Sequence, residues 1–304
     1  MAGGFFVSVR DALVVARFHL MKAVRTRSAA VLSIALLVVH MGGAWVFTEI
    51  LKAMENSAAT ALRVPTTDRP GAMLDVLRDR EDFRELIGGL LPDPSLMEWA
   101  LNLPYLSIGH FWIALGTLPF LAAAAGAEVL SGDIKNRSLR YEVVRTGRLE
   151  VVAGRFVGQA LLVFLAVLVA NAGTWVMAMV AMVEQPAVAQ MSTLLSFTPR
   201  LCAWSLPFLG LGIAASMLTA NPNTARALAL GGTVGSFIGW GFLSSREADL
   251  LGAFAVPLRQ LLPQSQMLAL WDAGMGWLAP AGILVVFGVV TTLAAFPLFL
   301  RRNL

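Results

Sequence analysis

Residues 131–156 read SGDIKNRSLRYEVVRTGRLEVVAGRF and form a polar segment between two long apolar runs. Six of these residues are Lys or Arg and three are Asp or Glu, which leaves an excess of three positive charges. Connections between membrane spans that carry excess Lys and Arg lie on the cytoplasmic side. The segment therefore predicts two membrane-spanning helices joined by a cytoplasmic loop, which we place at residues 131–150.

The composition of the whole chain predicts a membrane protein. Of its 304 residues, 57% are hydrophobic and only 14% are charged, whereas soluble domains carry about 25% charged residues. Only helices and closed barrels satisfy every backbone group in lipid. The apolar runs are helix length, about 20 residues, and lack the alternation of barrel strands. The predicted fold is an all-α integral membrane protein with six transmembrane helices.

Hydrophobicity and charge predict a single transmembrane domain, residues 1–304. The six predicted spans are residues 29–47, 105–127, 149–183, 201–218, 225–243 and 277–300. Flanking them are an amphipathic interfacial helix at residues 1–28, a helical outer insert at 49–103 and an outer hairpin at 244–276. The insert has ten acidic and six basic residues, whereas the predicted inner segments are basic. Both termini are therefore expected in the cytoplasm, and the membrane is expected to be a bacterial inner membrane.

A short helix is predicted inside the 131–150 loop, from Leu139 to Arg145. Ser138 is a typical N-cap residue, and Gly147 is a typical terminator before the third span. Leu139, Val143 and Val144 would give this helix an apolar side. A loop that is merely solvated needs charge but no such helix, so the pattern favours a surface that binds a partner protein.

Tyr141 is the residue expected to be the buried anchor of such a contact, because aromatic side chains dominate the energetics of interface pockets. Arg140 and Arg145 are expected at its rim, where charges steer a partner and add less binding energy.

The same segment resembles part of a known family. Glu128, then GDIKNRSLRYEVVRTGR and LEVVAGRFVG, is similar to the end of span two, the coupling helix and the start of span three in ABC type-2 transporter permeases. Ser138-Leu139-Arg140 matches the start of that helix, Arg148 matches the arginine of the following turn, and Gly154-Arg155 matches a Gly-Lys pair. The chain departs from the family at Arg137, where glycine is preferred, and at Thr146-Gly147, where proline is common. The amphipathic N-terminal helix, six spans and outer hairpin extend the resemblance over most of the chain.

The resemblance implies a permease subunit of an ABC exporter, without enzymatic activity of its own. A separate ATP-binding cassette ATPase would bind ATP and Mg and would dock on the 131–150 loop. The partner-binding residues are then Ser138, Leu139, Arg140, Tyr141, Val144, Arg145 and Arg148. A second copy of the chain, or a similar permease, would complete the transporter, surrounded by membrane lipids. The outer insert at 49–103 is a candidate site for an outer-side partner.

Two further features concern the fifth span. Asn221 and Asn223 belong to a tight second inner turn, Asn221-Pro222-Asn223-Thr224. Gly231, Gly235 and Gly239 follow at four-residue spacing and share one helical face. Such repeats of small residues let helix backbones approach closely, so this face is predicted to pack within the chain or between subunits.

The chain contains no motif for catalytic chemistry. Lys22, Lys52 and Lys135 are its three lysines and are followed by Ala, Ala and Asn, whereas a nucleotide-binding P-loop needs Gly-Lys-Ser or Gly-Lys-Thr. Cys202 is the only cysteine, so no thiolate metal cluster is possible. The basic residues lie beside apolar runs, and this placement explains the chain's basic character without a nucleic-acid partner. No cofactor or metal is expected in this chain.

Three polar residues are expected at depth in the spans: His40, His110 and Asn171. A polar residue in a span is a functional hypothesis, but each of these is expected to sit alone in satisfied packing. The interiors of the spans lack the clustered ionisable or nucleophilic residues that membrane enzymes usually carry, and this disfavours a membrane enzyme. A scaffold or assembly protein that docks a cytoplasmic factor without transport is the alternative function, and co-purification of an ATP-binding subunit would separate it from a transporter.

Overall fold

The structure is a computed structural model, in which residues 8–66, 68–91, 93–183, 186–245, 252 and 254–302 are described. Parts of the predicted interfacial helix (1–7), outer insert (67 and 92) and outer hairpin (246–251 and 253) lie outside these residues. Every regular element in the described ranges is helical. The helices are α1 (Val9–Arg25), α2 (Ser28–Leu62), α3 (Leu74–Arg78), α4 (Glu81–Leu90), α5 (Met97–Leu101), α6 (Tyr105–Lys135), α7 (Leu139–Thr146), α8 (Arg148–Ala181), α9 (Ala187–Leu218), α10 (Pro222–Ser244), α11 (Ala255–Gln260), α12 (Leu278–Ala294) and α13 (Phe296–Leu300).

Six helical segments in the described part of the chain are long and apolar enough to cross a membrane. They are α2, α6, α8, α9, α10 and the segment Leu278–Leu300, which contains α12 and α13. This confirms the predicted fold class, an all-α integral membrane protein.

The long helices extend beyond the predicted spans. Helix α2 ends at Leu62 rather than at residue 47, α6 ends at Lys135 rather than at 127, and α9 begins at Ala187 rather than at 201. A helix of 35 residues such as α2 is about 52 Å long, whereas the hydrocarbon core is about 30 Å thick. The ends of these helices therefore project into the aqueous phases, and hydrophobicity marks only their membrane portions.

Helices α6 and α9 form the centre of the bundle, and glycines let them approach closely. A Cβ atom at Gly126 of α6 would lie 2.6 Å from the carbonyl oxygen of Leu209, and one at Gly212 of α9 would lie 2.9 Å from the backbone nitrogen of Ala127. No larger side chain fits between these backbones without separating them.

Helix α1 packs against α8 in the same manner. A Cβ at Gly154 would lie 2.7 Å from Cβ of Val15, and one at Gly158 would lie 3.1 Å from the carbonyl oxygen of Ala16. The predicted interfacial helix therefore has one face fixed to the third span, while Leu13, Val14, Phe18 and Met21 are exposed on its other side.

The outer insert is helical and is fastened to the bundle. Glu55, near the C-terminal end of α2, accepts hydrogen bonds from the backbone N–H groups of Gly71 (2.8 Å) and Met73 (3.3 Å). Phe83 of α4 is fully buried and contacts the ring of Tyr105 edge to face, with centroids 5.1 Å apart. These contacts hold the insert on the ends of α2 and α6.

The described part of the outer hairpin, α11 and the 3-10 helices Pro263–Gln266 and Leu268–Trp271, folds back into the bundle. Trp271 is fully buried. Its ring centroid lies 4.6 Å from that of Phe111 and 6.4 Å from that of Trp99 in the insert. Arg200 of α9 donates hydrogen bonds to the carbonyl oxygens of Leu270 (3.1 Å) and Asp272 (3.0 Å). The hairpin and the insert thus meet over one aromatic cluster.

The prediction that His40, His110 and Asn171 each sit alone is wrong. Nδ1 of His40 lies 3.0 Å from Nδ1 of His110, which also lies 2.9 Å from Oγ1 of Thr174. The side-chain amide of Asn171 donates to Oγ1 of Thr198 at 2.7 Å. These buried residues join α2 to α6 to α8, and α8 to α9, through hydrogen bonds, which are the usual way to keep polar groups in a bundle interior.

Candidate functional site

Helix α7 presents two different faces. Leu139 is buried and Val143 is half-buried against the bundle, whereas Tyr141 and Val144 are 65% and 86% exposed. A helix turns 100° per residue, so residues 139 and 143 differ by 40° in direction, and 139 and 144 by 140°. The apolar side predicted from Leu139, Val143 and Val144 is therefore divided: the first two attach the helix to the bundle, and Val144 lies outside beside Tyr141.

The outward face of α7 also carries Arg140 and Arg145, both exposed. The guanidinium group of Arg140 donates to the Tyr141 hydroxyl at 3.1 Å, and its central carbon lies 5.0 Å from the Tyr141 ring centroid. This face combines an aromatic ring, an aliphatic side chain and two cations. Such a combination suits a protein interface.

Ser138 does not cap α7, contrary to the prediction. It has helical backbone angles, and its hydroxyl donates to Oδ1 of Asp133 at 3.1 Å instead of accepting from the first turn. The competing partner arises because α6 continues to Lys135, which puts Asp133 next to Ser138. The predicted terminator, Gly147, does end α7, with a φ of 88° that glycine adopts without strain.

Arg137, where the chain departs from the permease pattern, lies in the left-handed region with a φ of 57°. Glycine is the residue that tolerates this region best. The backbone geometry therefore gives a physical reason for the glycine that the pattern prefers here.

An ion network centred on a buried arginine connects α7 to α1, α6 and α8. Arg155 of α8 is 2% exposed, and its guanidinium group lies 2.7 Å from Oδ2 of Asp133 (α6) and 2.6 Å from Oε2 of Glu142 (α7). Lys22 of α1 lies 2.6 Å from Oδ1 of Asp133. Two cations thus face two carboxylates, so no net charge is buried. Arg155 is the central member because it contacts both carboxylates.

Arg148, predicted to bind a partner, is occupied within the chain. Its guanidinium group donates to the carbonyl oxygens of Leu300 (2.8 Å) and Arg302 (3.1 Å) and to that of Phe299. A cation at the free carbonyl groups of a helix end is a favourable cap. Arg148 therefore holds the end of α13 against the start of α8.

The second inner turn is tied to the end of α6. Asn221 is the N-cap of α10, and its Oδ1 accepts from the N–H of Asn223 at 3.0 Å. Arg226, one turn later, donates to Glu128 of α6 and to Oδ1 of Asn223 at 3.3 Å. Glu128, the first residue of the family-like pattern, is thus paired with α10.

The glycine face of α10 lies open. A Cβ at Gly231 or Gly235 would meet no described atom within 4 Å, and one at Gly239 would meet only Cδ1 of Leu262 at 3.8 Å. Leu228 and Ile238 are exposed on the same helix. Within the described part of the chain, these glycines do not serve helix packing.

Comparison with known proteins decides the family. A family model described as ABC-2 family transporter protein matches residues 13–304. The chain belongs to the ABC-2 transporter family. This confirms the resemblance found in the 131–156 segment. ABC-2 proteins are membrane components of ABC transporters, and the family in general implies an ABC ATPase partner. A comparison with curated proteins finds no match.

The sequence of this ABC-2 protein located α7 but not the network beneath it. In the sequence, Arg155 stands out only as part of the Gly154-Arg155 match, and Lys22 only as one of three lysines without a P-loop context. One sequence signal could have indicated the packing of α1 on α8: the four-residue spacing of Gly154 and Gly158 in α8. The glycines of α10 show the same small-residue repeat. It marks the surface on which α1 packs and so brings Lys22 toward α6 and α8.

Proposed function

We propose that the chain is the transmembrane permease subunit of an ABC transporter, which moves a substrate across the membrane. ATP is hydrolysed by a separate ATP-binding cassette subunit that docks on residues 131–150. The observation that carries the proposal is the double-sided helix α7, exposed at Tyr141 and Val144 and tied to the bundle by Glu142. Residues 131–150 and both termini then lie in the cytoplasm, at a bacterial inner membrane, and the direction of transport is outward.

The ion network supports a mechanical role for α7. A partner that pulls or pushes on Tyr141 displaces a short helix whose carboxylate, Glu142, is bound to Arg155. Because Arg155 also binds Asp133, and Asp133 binds Lys22, the displacement reaches α8, α6 and α1 together. The displacement of α7 then moves these packed helices as rigid bodies, which is a common form of conformational change at protein interfaces.

The test is a photo-crosslinking experiment in membranes. A benzophenone amino acid at Val144 is expected to crosslink to a subunit that contains a P-loop and to lose that product when the ATPase gene is deleted. The same amino acid at Val286, which is 60% exposed on α12, is the control and should give no such product. A crosslink from Val144 to a cytoplasmic protein without ATPase activity would favour a scaffold function instead.

We further propose that the open glycine face of α10 packs against a second copy of the chain or a similar permease. Gly235→Leu places a bulky side chain on this face, at a position where an added Cβ meets no described atom within 4 Å. We expect a dimer that dissociates about tenfold more readily, equivalent to ~1.4 kcal/mol, and an unchanged melting temperature for the monomer. Size-exclusion chromatography with light scattering in detergent measures the first quantity.

The matched control is Gly212→Leu, which must separate α6 from α9 within one chain. It is expected to lower the melting temperature of the monomer, in contrast to Gly235→Leu. If Gly235→Leu leaves the dimer intact, the subunit contact lies on another surface.

A further inference from the structure

A cavity of about 520 Å³ opens between α1 and α2 on one side and α6, α8 and α10 on the other. Ligand-binding cavities are typically about 300–1,000 Å³. Its two ends differ in character. Polar side chains line one end, at the level where α1 joins α2: His19, Lys22, Thr26, Ser28, Glu128, Gln159 and Arg226. Aliphatic side chains line the other: Val31, Leu32, Ala35, Leu121, Ala124 and Ala125.

The two ends follow the course of α2 into the membrane. Ser28 begins α2 and lies at the polar end, whereas Ala35 lies seven residues further and belongs to the apolar end. At 1.5 Å per residue this corresponds to about 10 Å of depth. The cavity thus matches an amphiphile whose headgroup stays at the surface while its tail points into the bilayer.

Cations with unused donors stand on opposite walls of the polar end. The ammonium group of Lys22 has three N–H donors. Its Nζ donates to Oδ1 and Oδ2 of Asp133, at 2.6 and 2.7 Å. The guanidinium group of Arg226 has five, and Glu128 and Asn223 accept three of them. Within the described part of the chain, both side chains therefore keep donors that can bind a headgroup oxygen.

The side chains that line the polar end include two cations, Lys22 and Arg226, and one carboxylate, Glu128. Arg17, Arg25 and Arg27, on α1 and the turn after it, are exposed. Burial lowers the pKa of His19, and Arg155 and Lys22 lower it further, while Nε2 of its ring lies 2.9 Å from Oε1 of Gln159. Basic pockets between membrane helices at the cytoplasmic surface bind anionic lipid headgroups.

We propose that this cavity binds an acidic phospholipid of the inner leaflet, with its phosphate between Lys22 and Arg226 and an acyl chain along Val31, Leu121 and Ala124. A bound lipid would fill the gap between α1–α2 and α6–α10 and would hold α1 in the position in which Lys22 reaches Asp133. The inference concerns binding alone and does not depend on transport.

The experiment uses the full chain in nanodiscs of phosphatidylcholine. Ala124→Cys in a Cys202→Ala background is labelled with bimane, and its quenching is measured against the fraction of doxyl-labelled phosphatidylglycerol or doxyl-labelled phosphatidylcholine. We expect half-maximal quenching at a roughly fivefold lower fraction of the acidic lipid, since a basic residue near the surface contributes about this factor. Bimane at Val286→Cys on α12 is the control and should be quenched equally by both lipids.

Two variants assign the effect to the cavity. Arg226→Gln should remove most of the preference for phosphatidylglycerol, and Ala125→Trp, which fills the apolar end, should weaken quenching by both lipids at Ala124→Cys. Equal quenching by both lipids in the unmodified cavity would overturn the proposal, as would no quenching at all, because a protein segment would then occupy the space. Competition by inorganic phosphate would also overturn it, since the site would then recognise the anion without its tail.

Discussion

Arg155→Met is expected to lower the free energy of unfolding by about 3 kcal/mol and to uncouple ATP hydrolysis from transport. The methionine leaves Asp133 and Glu142 without their shared cation, and breaking a buried ion pair on one side costs about 3–5 kcal/mol. The side chains of Asp133 and Glu142 are 12% and 24% exposed, so some water reaches them and the lower value applies. Thermal unfolding in detergent and the ratio of ATP hydrolysed to substrate moved are the two measurements.

Two variants distinguish the network from a general loss of packing. Arg155→Met combined with Glu142→Gln removes one uncompensated carboxylate and should recover part of the stability, while coupling stays lost because α7 is detached from α8. Arg145→Met, on the exposed face of α7, is the matched control for loss of an arginine and should leave stability unchanged. Equal stability of Arg155→Met and the wild type would show that the network is not structural.

Tyr141→Ala is expected to weaken docking of the ATPase about 30-fold and to leave folding intact. The ring is 65% exposed in the single chain, so its removal opens no cavity in the bundle. An aromatic residue at the centre of an interface typically contributes about 2 kcal/mol or more, which corresponds to roughly 30-fold in affinity. Retention of the ATPase on immobilised permease, titrated with purified ATPase, measures the change.

Arg140→Ala gives the comparison for Tyr141→Ala. A charge at the rim contributes about 0.5–1 kcal/mol and is screened by salt, so the defect should be several times smaller and should disappear at high ionic strength. If Tyr141→Ala retains the ATPase with full affinity, docking does not use this face of α7 and the assignment of the coupling helix is wrong.

The sequence predicted those features that depend on neighbouring residues. The six apolar runs, the short helix after Ser138 and the glycine that ends it each follow from local composition or backbone preference. The limits of the helices were less predictable: α2 and α6 continue past their apolar portions because a helix satisfies its own backbone in water as well as in lipid. That continuation is also why Ser138 bonds to Asp133 instead of capping α7.

Contacts between distant residues were not predictable from composition. The pairing of His40 with His110 spans 70 residues and that of Lys22 with Asp133 spans 111, and no local pattern specifies either. Small-residue repeats gave an ambiguous signal, because Gly154 and Gly158 pack against α1 whereas Gly231 and Gly235 meet no described atom. Spacing alone identifies a surface suited to close approach and does not identify the partner.

The hydrogen bonds from Arg148 to the carbonyl oxygens at the end of α13 affect the order in which the chain folds during synthesis. During synthesis, the bonds from Lys22 to Asp133 and from Arg155 to Glu142 can form once residue 155 has left the ribosome, whereas Arg148 must wait for Arg302, 154 residues away. At about 5–20 residues per second, the interval is roughly 7–30 s. Throughout that interval α7 is already held by α8, while the start of α8 still lacks the chain end that will secure it. A nascent chain stalled before span six would therefore expose α7 while the start of α8 still lacks its contacts with residues 299–302.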